Sequence, residues 1–239
     1  MVKYLILGDI HGREWWKDIV EREKEVDKYI FLGDYVSTHD YIPGYVQLDV
    51  LKEILLFKEE NPDKVILLRG NHDLQHLGYN WAQCSSFDKT VYQWMSKTEN
   101  KNKFLKLTQT IYIDDELKII FSHAGVSKVW MGMSNIKDIH DINGVNVDPI
   151  FRFTPDNFLD NAGHSETQPP TWIRPTSLIK CMVDGYTQVV GHTPMKKIIN
   201  ARQYIDPDKY TNDLWCCDTC LEQYLIIDNG EFIIKNCNF

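Results

Sequence analysis

No apolar run in the 239-residue chain approaches the ~20 residues that a membrane helix requires, so no membrane partner is expected. Basic residues are also scarce. Lys and Arg total 26 against 34 Asp and Glu, a formal charge of −8 that excludes broad, sequence-independent nucleic-acid binding. The first residues, Met1 to Leu7, are too short for a secretory signal and lead straight into Gly8-Asp9, so they read as a first strand and the chain as cytoplasmic. Cysteine occurs six times, and Cys217-Asp218-Thr219-Cys220 forms a C-x-x-C just after Cys216. No second C-x-x-C accompanies it, which argues against a structural zinc site and for reduced strand cysteines. There is no internal repeat, linker or low-complexity tract, so a single domain over 1–239 is expected. At 43% hydrophobic and 25% charged, the composition is that of an ordinary globular protein.

Against these absences stand six short polar segments: Gly8-Asp9-Ile10-His11-Gly12, Gly33-Asp34-Tyr35, Gly70-Asn71-His72-Asp73, Ser122-His123-Ala124-Gly125, Trp172-Ile173-Arg174-Pro175 and Gly191-His192-Thr193-Pro194. Nearly all follow a short apolar run of the kind that reads as a buried strand. Charged residues carrying apolar positions at helical spacing separate the first three runs, at 13–28 and 43–61. Strand, helix, strand, helix, strand implies an α/β protein with a parallel sheet, and polar groups at the carboxyl ends of such strands converge on one edge. Residues 75–108 and 127–186 read as cap or lid segments, and the runs from Gln188 to Lys235 as a mostly antiparallel second sheet.

The ligand types suit two metal ions. Asp9 and His11 would hold the first, Asp34 is the natural bridge, and Asn71, His123 and His192 would complete the second. A carboxylate is the donor that can span ions ~3.5–4 Å apart. Mixed nitrogen and oxygen ligands point to manganese, iron or zinc. Such a pair polarises phosphoryl oxygens and lowers the pKa of a bridging water, which as hydroxide attacks phosphorus. His72, one residue beyond a ligand, is the candidate general acid, and Arg174 the candidate phosphate clamp. Arg13 reads as a solvated first-turn residue and Arg69 as half of a structural ion pair near the site.

Laid out in order, these segments resemble the calcineurin-like metallophosphoesterase superfamily, and within it the bacterial phosphoprotein phosphatase group that includes diadenosine tetraphosphate hydrolases. The resemblance covers residue 4 to about 195, and Asp218-Thr219 is similar to a late Asp-Thr-Gly segment, with Cys220 in place of Gly. It implies a four-layer αββα sandwich with both metals at the sheet edge. The chain departs from the pattern at Ser37 and Thr38, where Asp and Arg are usual for orienting the catalytic histidine and gripping phosphate. Asp40 is a candidate for orienting His72 from a shifted loop.

The resulting expectation is a dimetal phosphoester hydrolase acting on a phosphorylated protein, small molecule or nucleotide. Phosphomonoester hydrolysis is the leading reading. Dinucleoside polyphosphate hydrolysis is the alternative, with aromatic residues of 75–108 stacking on a base. A scaffold that binds metal without catalysis is the third.

Overall fold

The computed structural model describes residues 2–79, 84–145 and 163–237. The sequence turn signals at Asp148-Pro149 and Thr154-Pro155 lie outside these residues.

Among the described residues, ten strands form two five-stranded sheets. The first runs in the order β10-β9-β1-β2-β3 and is built from β1 (Lys3–Leu7), β2 (Lys28–Phe31), β3 (Val65–Leu67), β9 (Gln223–Asp228) and β10 (Glu231–Asn236). The second runs β4-β5-β6-β8-β7, from β4 (Ile111–Asp114), β5 (Ile119–Ser122), β6 (Thr187–Val190), β7 (Ile199–Asn200) and β8 (Leu214–Cys216). β1, β2 and β3 are parallel, as are β5, β6 and β8; β9 and β10 join antiparallel.

The alternation of strand side chains sets the layers. Tyr4, Ile6, Ile30, Leu32 and Leu225 of the first sheet meet Ile119, Phe121 and Val189 of the second, forming a buried layer between the sheets. The intervening residues Leu5, Leu7, Phe31 and Leu67 point the other way, under α1 (Trp16–Arg22) and α2 (Gly44–Glu60). Trp16 packs edge-on against Phe31 at 5.7 Å, joining helix to sheet. Val190, Leu214 and Cys216 face outward from the second sheet against Ile173, Leu178 and Ile179. Helices therefore cover the outer faces of two stacked sheets, the four-layer arrangement expected.

The tail differs from the expected mostly antiparallel second sheet. β6, β7 and β8 extend the second sheet with two parallel pairings, whereas β9 returns to pair with β1, Tyr4 opposite Ile227, in the first. Cys216 and Cys217, on successive positions, face opposite layers, so they cannot share a metal. The short helix α3 (Asn71–His76) follows β3, and segment 84–108 supplies α4 (Lys89–Met95) and α5 (Thr98–Leu107). No helix among the described residues is long and apolar enough to cross a membrane.

Candidate metal centre

Most of the metal-type side chains emerge where a parallel strand ends. His11 (φ 48°), Asp34 (φ 49°) and His192 (φ 64°) all adopt the left-handed backbone region, which is uncommon for residues with a Cβ and concentrates at functional sites. Those sharp turns bend the chain back over the sheet edge. The backbones of the first two loops are tied together, Ile10 N and His11 N both donating to Asp34 O at 3.1 and 2.7 Å.

Two groups of side chains converge there. Asp9, His11 and Asp34 present donor atoms within 4.8 Å of one another, and so do Asp34, His123 and His192. Asp34 belongs to both. Asn71 Oδ1 sits 2.9 Å from His123 Nε2 and 3.0 Å from His192 Nδ1, which adds a fourth donor to the second group. All six residues proposed as ligands are thus brought together.

The three histidines are each oriented by a backbone carbonyl. His11 Nδ1 donates to Val36 O at 3.1 Å, His123 Nδ1 to Leu32 O at 2.9 Å, and His192 Nε2 to Trp172 O at 3.0 Å. Spending one ring N–H in this way turns the other nitrogen inward with its lone pair available, the usual outer support of a metal-ligating histidine. Asp9, Asp34, Asn71, His123 and His192 are all buried, so the cluster would hold uncompensated charge unless a cation joined it. Without one, His123 takes that part: burial opposes its charge, but Asp34 and Asp9 push its pKa up to about 10. Burial would raise Asp34, yet His123, His72 and His11 hold it below the carboxylate range. Burial and Asp218 raise Asp9. Burial, His123 and Arg174 keep His192 neutral. The donor set therefore fits two hard or borderline divalent cations.

Around this centre lies a cleft of about 400 Å³ lined by His39, His72, Cys84, Ser85, Trp172, Arg174 and Asp218, among others. Burial lowers the His72 pKa to about 4, against the pull of Asp34. Burial also lowers that of Arg174, whose charge faces Asp9, Asp218 and Asp34. Its Nη1 donates to His192 O at 3.1 Å and Thr193 Oγ1 at 3.2 Å.

Several sequence readings change. Arg13 is buried and pairs with Asp40, its Nη1 also donating to Ile10 O at 3.3 Å. Asp40 is thereby drawn to the first loop rather than to His72. Arg69 makes no ion pair among the described residues; its donors go to Thr108 Oγ1, Thr108 O and Leu105 O. Asp73 has no role in the sequence reading, yet its buried carboxylate accepts from Asp34 N, Tyr35 N and Gly70 N at 2.8–2.9 Å. Asp218 is buried beside Asp9, and its one sequence signal is the Asp-Thr similarity.

Comparison with known proteins agrees with this geometry. The family model described as calcineurin-like phosphoesterase matches residues 2–220. The serine/threonine-protein phosphatase ppe1 of Schizosaccharomyces pombe is 31% identical over 132 residues, 51% of this chain and 39% of its own length. The asymmetrical bis(5'-nucleosyl)-tetraphosphatase PrpE of Anoxybacillus flavithermus is 25% identical over 233 residues, 82% of this chain and 92% of its own. This chain thus spans well under half of the yeast phosphatase. Among solved structures, a cold-active protein-tyrosine phosphatase of a Shewanella species shares the fold with a TM-score of 0.65 at 17% identity, covering 99% of this chain and 78% of that one. A Saccharomyces cerevisiae protein serine/threonine phosphatase gives 0.63 at 13% identity, with 98% and 79% covered. Since the family match runs through β1 to β8 and every loop that carries a donor, the chain belongs to the calcineurin-like phosphoesterase family, a divalent-metal-dependent group.

Proposed function

We propose that this chain is a dimetal phosphoester hydrolase, with phosphomonoesters as the leading substrate class. The observation that carries the reading is the position of Asp34 in both donor groups, a carboxylate placed to be shared between two cations. Asp9 and His11 would hold one ion, and Asn71, His123 and His192 the other; manganese, iron and zinc match this mixture of donors. When bound, the pair supplies Lewis-acid polarisation of phosphoryl oxygens and a water of lowered pKa.

The chain's own side chains supply the rest. Arg174 borders the cleft and offers a planar guanidinium to a phosphate oxygen, which orients the ester over the centre. His72, on α3, reaches the same space with its ring edge-on to His11, centroids 5.2 Å apart, where the leaving oxygen would depart. Segments 84–108 and 163–186 frame the opening through Cys84, Ser85, Trp172 and Arg174, within what we take to be one domain. A cytoplasmic site of action is part of the same proposal.

Dinucleoside polyphosphate hydrolysis is kept as a second reading because the relative PrpE is matched over 92% of its length. A panel of phosphomonoesters, phosphodiesters and dinucleoside polyphosphates, each assayed with added manganese, separates the two. Turnover of monoesters above the dinucleotides is expected. Activity confined to dinucleoside polyphosphates would replace the first reading with the second, and none on any substrate would leave a metal-binding scaffold.

A further inference from the structure

A two-residue turn at Asn229 (φ 51°) and Gly230 (φ 85°) joins β9 to β10, so Asp228 and Glu231 beside it form a hydrogen-bonded pair. An antiparallel ladder then alternates, with Ile233 and Lys235 bonded inward to β9, and the bond from Cys237 N to Glu222 O at 2.9 Å continues that series. Phe232, Ile234 and Asn236 therefore turn their backbone N–H and C=O away from β9, along the free edge where β10 ends the first sheet. Other sheet edges are short or covered. β7 has two residues. β3 has three, and Gln109 takes up its free side by donating to Leu67 O and accepting from Arg69 N. On β4, Asn143 Oδ1 accepts from Thr110 N and Ile111 N while its Nδ2 donates to Ile111 O. β10, in contrast, is six residues long in unbroken register, with no proline, glycine or bulge. An open edge of that length is a template for another strand.

We propose that a second copy of this chain pairs antiparallel with β10 about a two-fold axis at Ile233, so that one sheet runs through both copies. Bond phase and charge together select the register. Residues whose backbone groups point outward are the ones that can exchange bonds across the axis. An axis at Ile233 sets Phe232 against Ile234 of the second copy, outward group against outward group. An axis at Ile234 also meets that condition, but it leaves Glu231 opposite Cys237 and Lys235 opposite Ile233. At Ile233 the closely spaced pairs are Ile233 with its own copy and, twice by symmetry, Glu231 with Lys235. Opposite charges directly across two strands stabilise the pairing. Within one chain neither charge has such a partner. Glu231 lies opposite Asp228, whose ion pair at 3.8 Å is with Lys3, and no ion pair joins Glu231 or Lys235 to another described residue. A lone charge on an edge strand repels a second strand, whereas these two are spaced to meet each other. Apolar contact follows the same register. Ile234 is 40% exposed although it shares the inter-sheet face with Phe232, whose ring stacks on Trp215 at 4.7 Å. Phe232 of the second copy comes beside Ile234 and extends that layer. The metal-donor loops follow β1, β2 and β3, with β9 between them and this edge, so the pairing stands or falls independently of the hydrolase reading.

One strand per copy makes a small interface, so association is expected between micromolar and millimolar concentration. Sedimentation equilibrium of the full chain over that range should show monomer and dimer in exchange. Glu231→Lys and Lys235→Glu each place like charges opposite one another at two points, and each should weaken dimerisation about tenfold or more. Mixed in equal amounts, the two variants set Lys against Glu at both points, and the heterodimer should regain the wild-type affinity. Hydrogen exchange of the wild type, read residue by residue, supplies a check that needs no substitution. The amides of Phe232 and Ile234 should slow as the dimer fills, while those of Ile233 and Lys235, already bonded to β9, change little. A wild type that stays monomeric throughout would overturn the proposal. So would a dimer in which the Phe232 and Ile234 amides still exchange freely, single variants that dimerise as well as the wild type, or no gain on mixing them.

Discussion

Asp73 binds three backbone N–H groups with one carboxylate, and two of them belong to Asp34 and Tyr35, the loop of the shared ligand. An unpaired buried N–H costs about 1–3 kcal/mol. Asp73→Ala should therefore lower stability by about 3 kcal/mol or more in urea denaturation of the metal-free protein, with Asp73→Asn intermediate because one oxygen remains. A loss below about 1 kcal/mol for the alanine variant would show that water replaces the carboxylate. His123 carries a second consequence. Its folded pKa of about 10 lies above the ordinary 6.5, so in the metal-free protein the stabilisation it gives is complete below pH 6.5 and disappears as pH rises through 10. A ligating imidazole cannot keep that proton, so metal binding at neutral pH should release about one proton or more per chain and weaken as pH is lowered. Calorimetry in two buffers of different ionisation enthalpy measures the release, and a value of zero would contradict it. Single residues are unevenly legible in the sequence. The six donors can be found because each sits at a strand-end segment and has metal-ligand chemistry. Arg13, which reads as solvated, is buried because Asp40 comes back across the loop to meet it, and no local pattern records a partner 27 positions away.

Strand-end loops bring these residues together, and small residues let them approach. A Cβ on Gly191 would collide with Asp9 Oδ1, and one on Gly70 with Asp34 Oδ1. The His192 N–H that follows Gly191 donates to both Asp9 oxygens, at 3.0 and 3.1 Å, so this loop also aims the carboxylate. Gly191→Ala should leave the sheets folded, by circular dichroism, while cutting bound metal measured by mass spectrometry to about one ion per chain or fewer. Full occupancy in that variant would mean that Asp9 is not held by this approach. The elements that sequence patterning locates best are β1 to β3 with their crossover helices, where short apolar runs alternate with amphipathic stretches. The tail strands are legible as strands but not as members of two sheets, because a strand's own alternation reports which face is buried and not which neighbour it pairs with. β9 returns across the whole chain to β1, and only long-range packing decides that.

At the scale of the whole molecule, two sheets with their parallel strands ending on one edge turn six dispersed segments into a single polar centre. An overall charge of −8 does not oppose phosphate binding there, since two divalent cations held by these donors would reverse the local field. Cleft and centre are legible as chemistry, whereas the groups that support the donors from behind are not. Asp73 and Asp218 lie in stretches whose residue types are common in loops and helix starts, and only the folded arrangement gives them partners. The central claim is that Asp34 is shared between two metal ions. Anomalous diffraction from a crystal soaked in manganese addresses it directly. Two peaks are expected about 3.5–4 Å apart, flanking the Asp34 carboxylate, one beside Asp9 and His11 and the other beside Asn71, His123 and His192. A single peak, or two that leave Asp34 outside their coordination, would contradict the account.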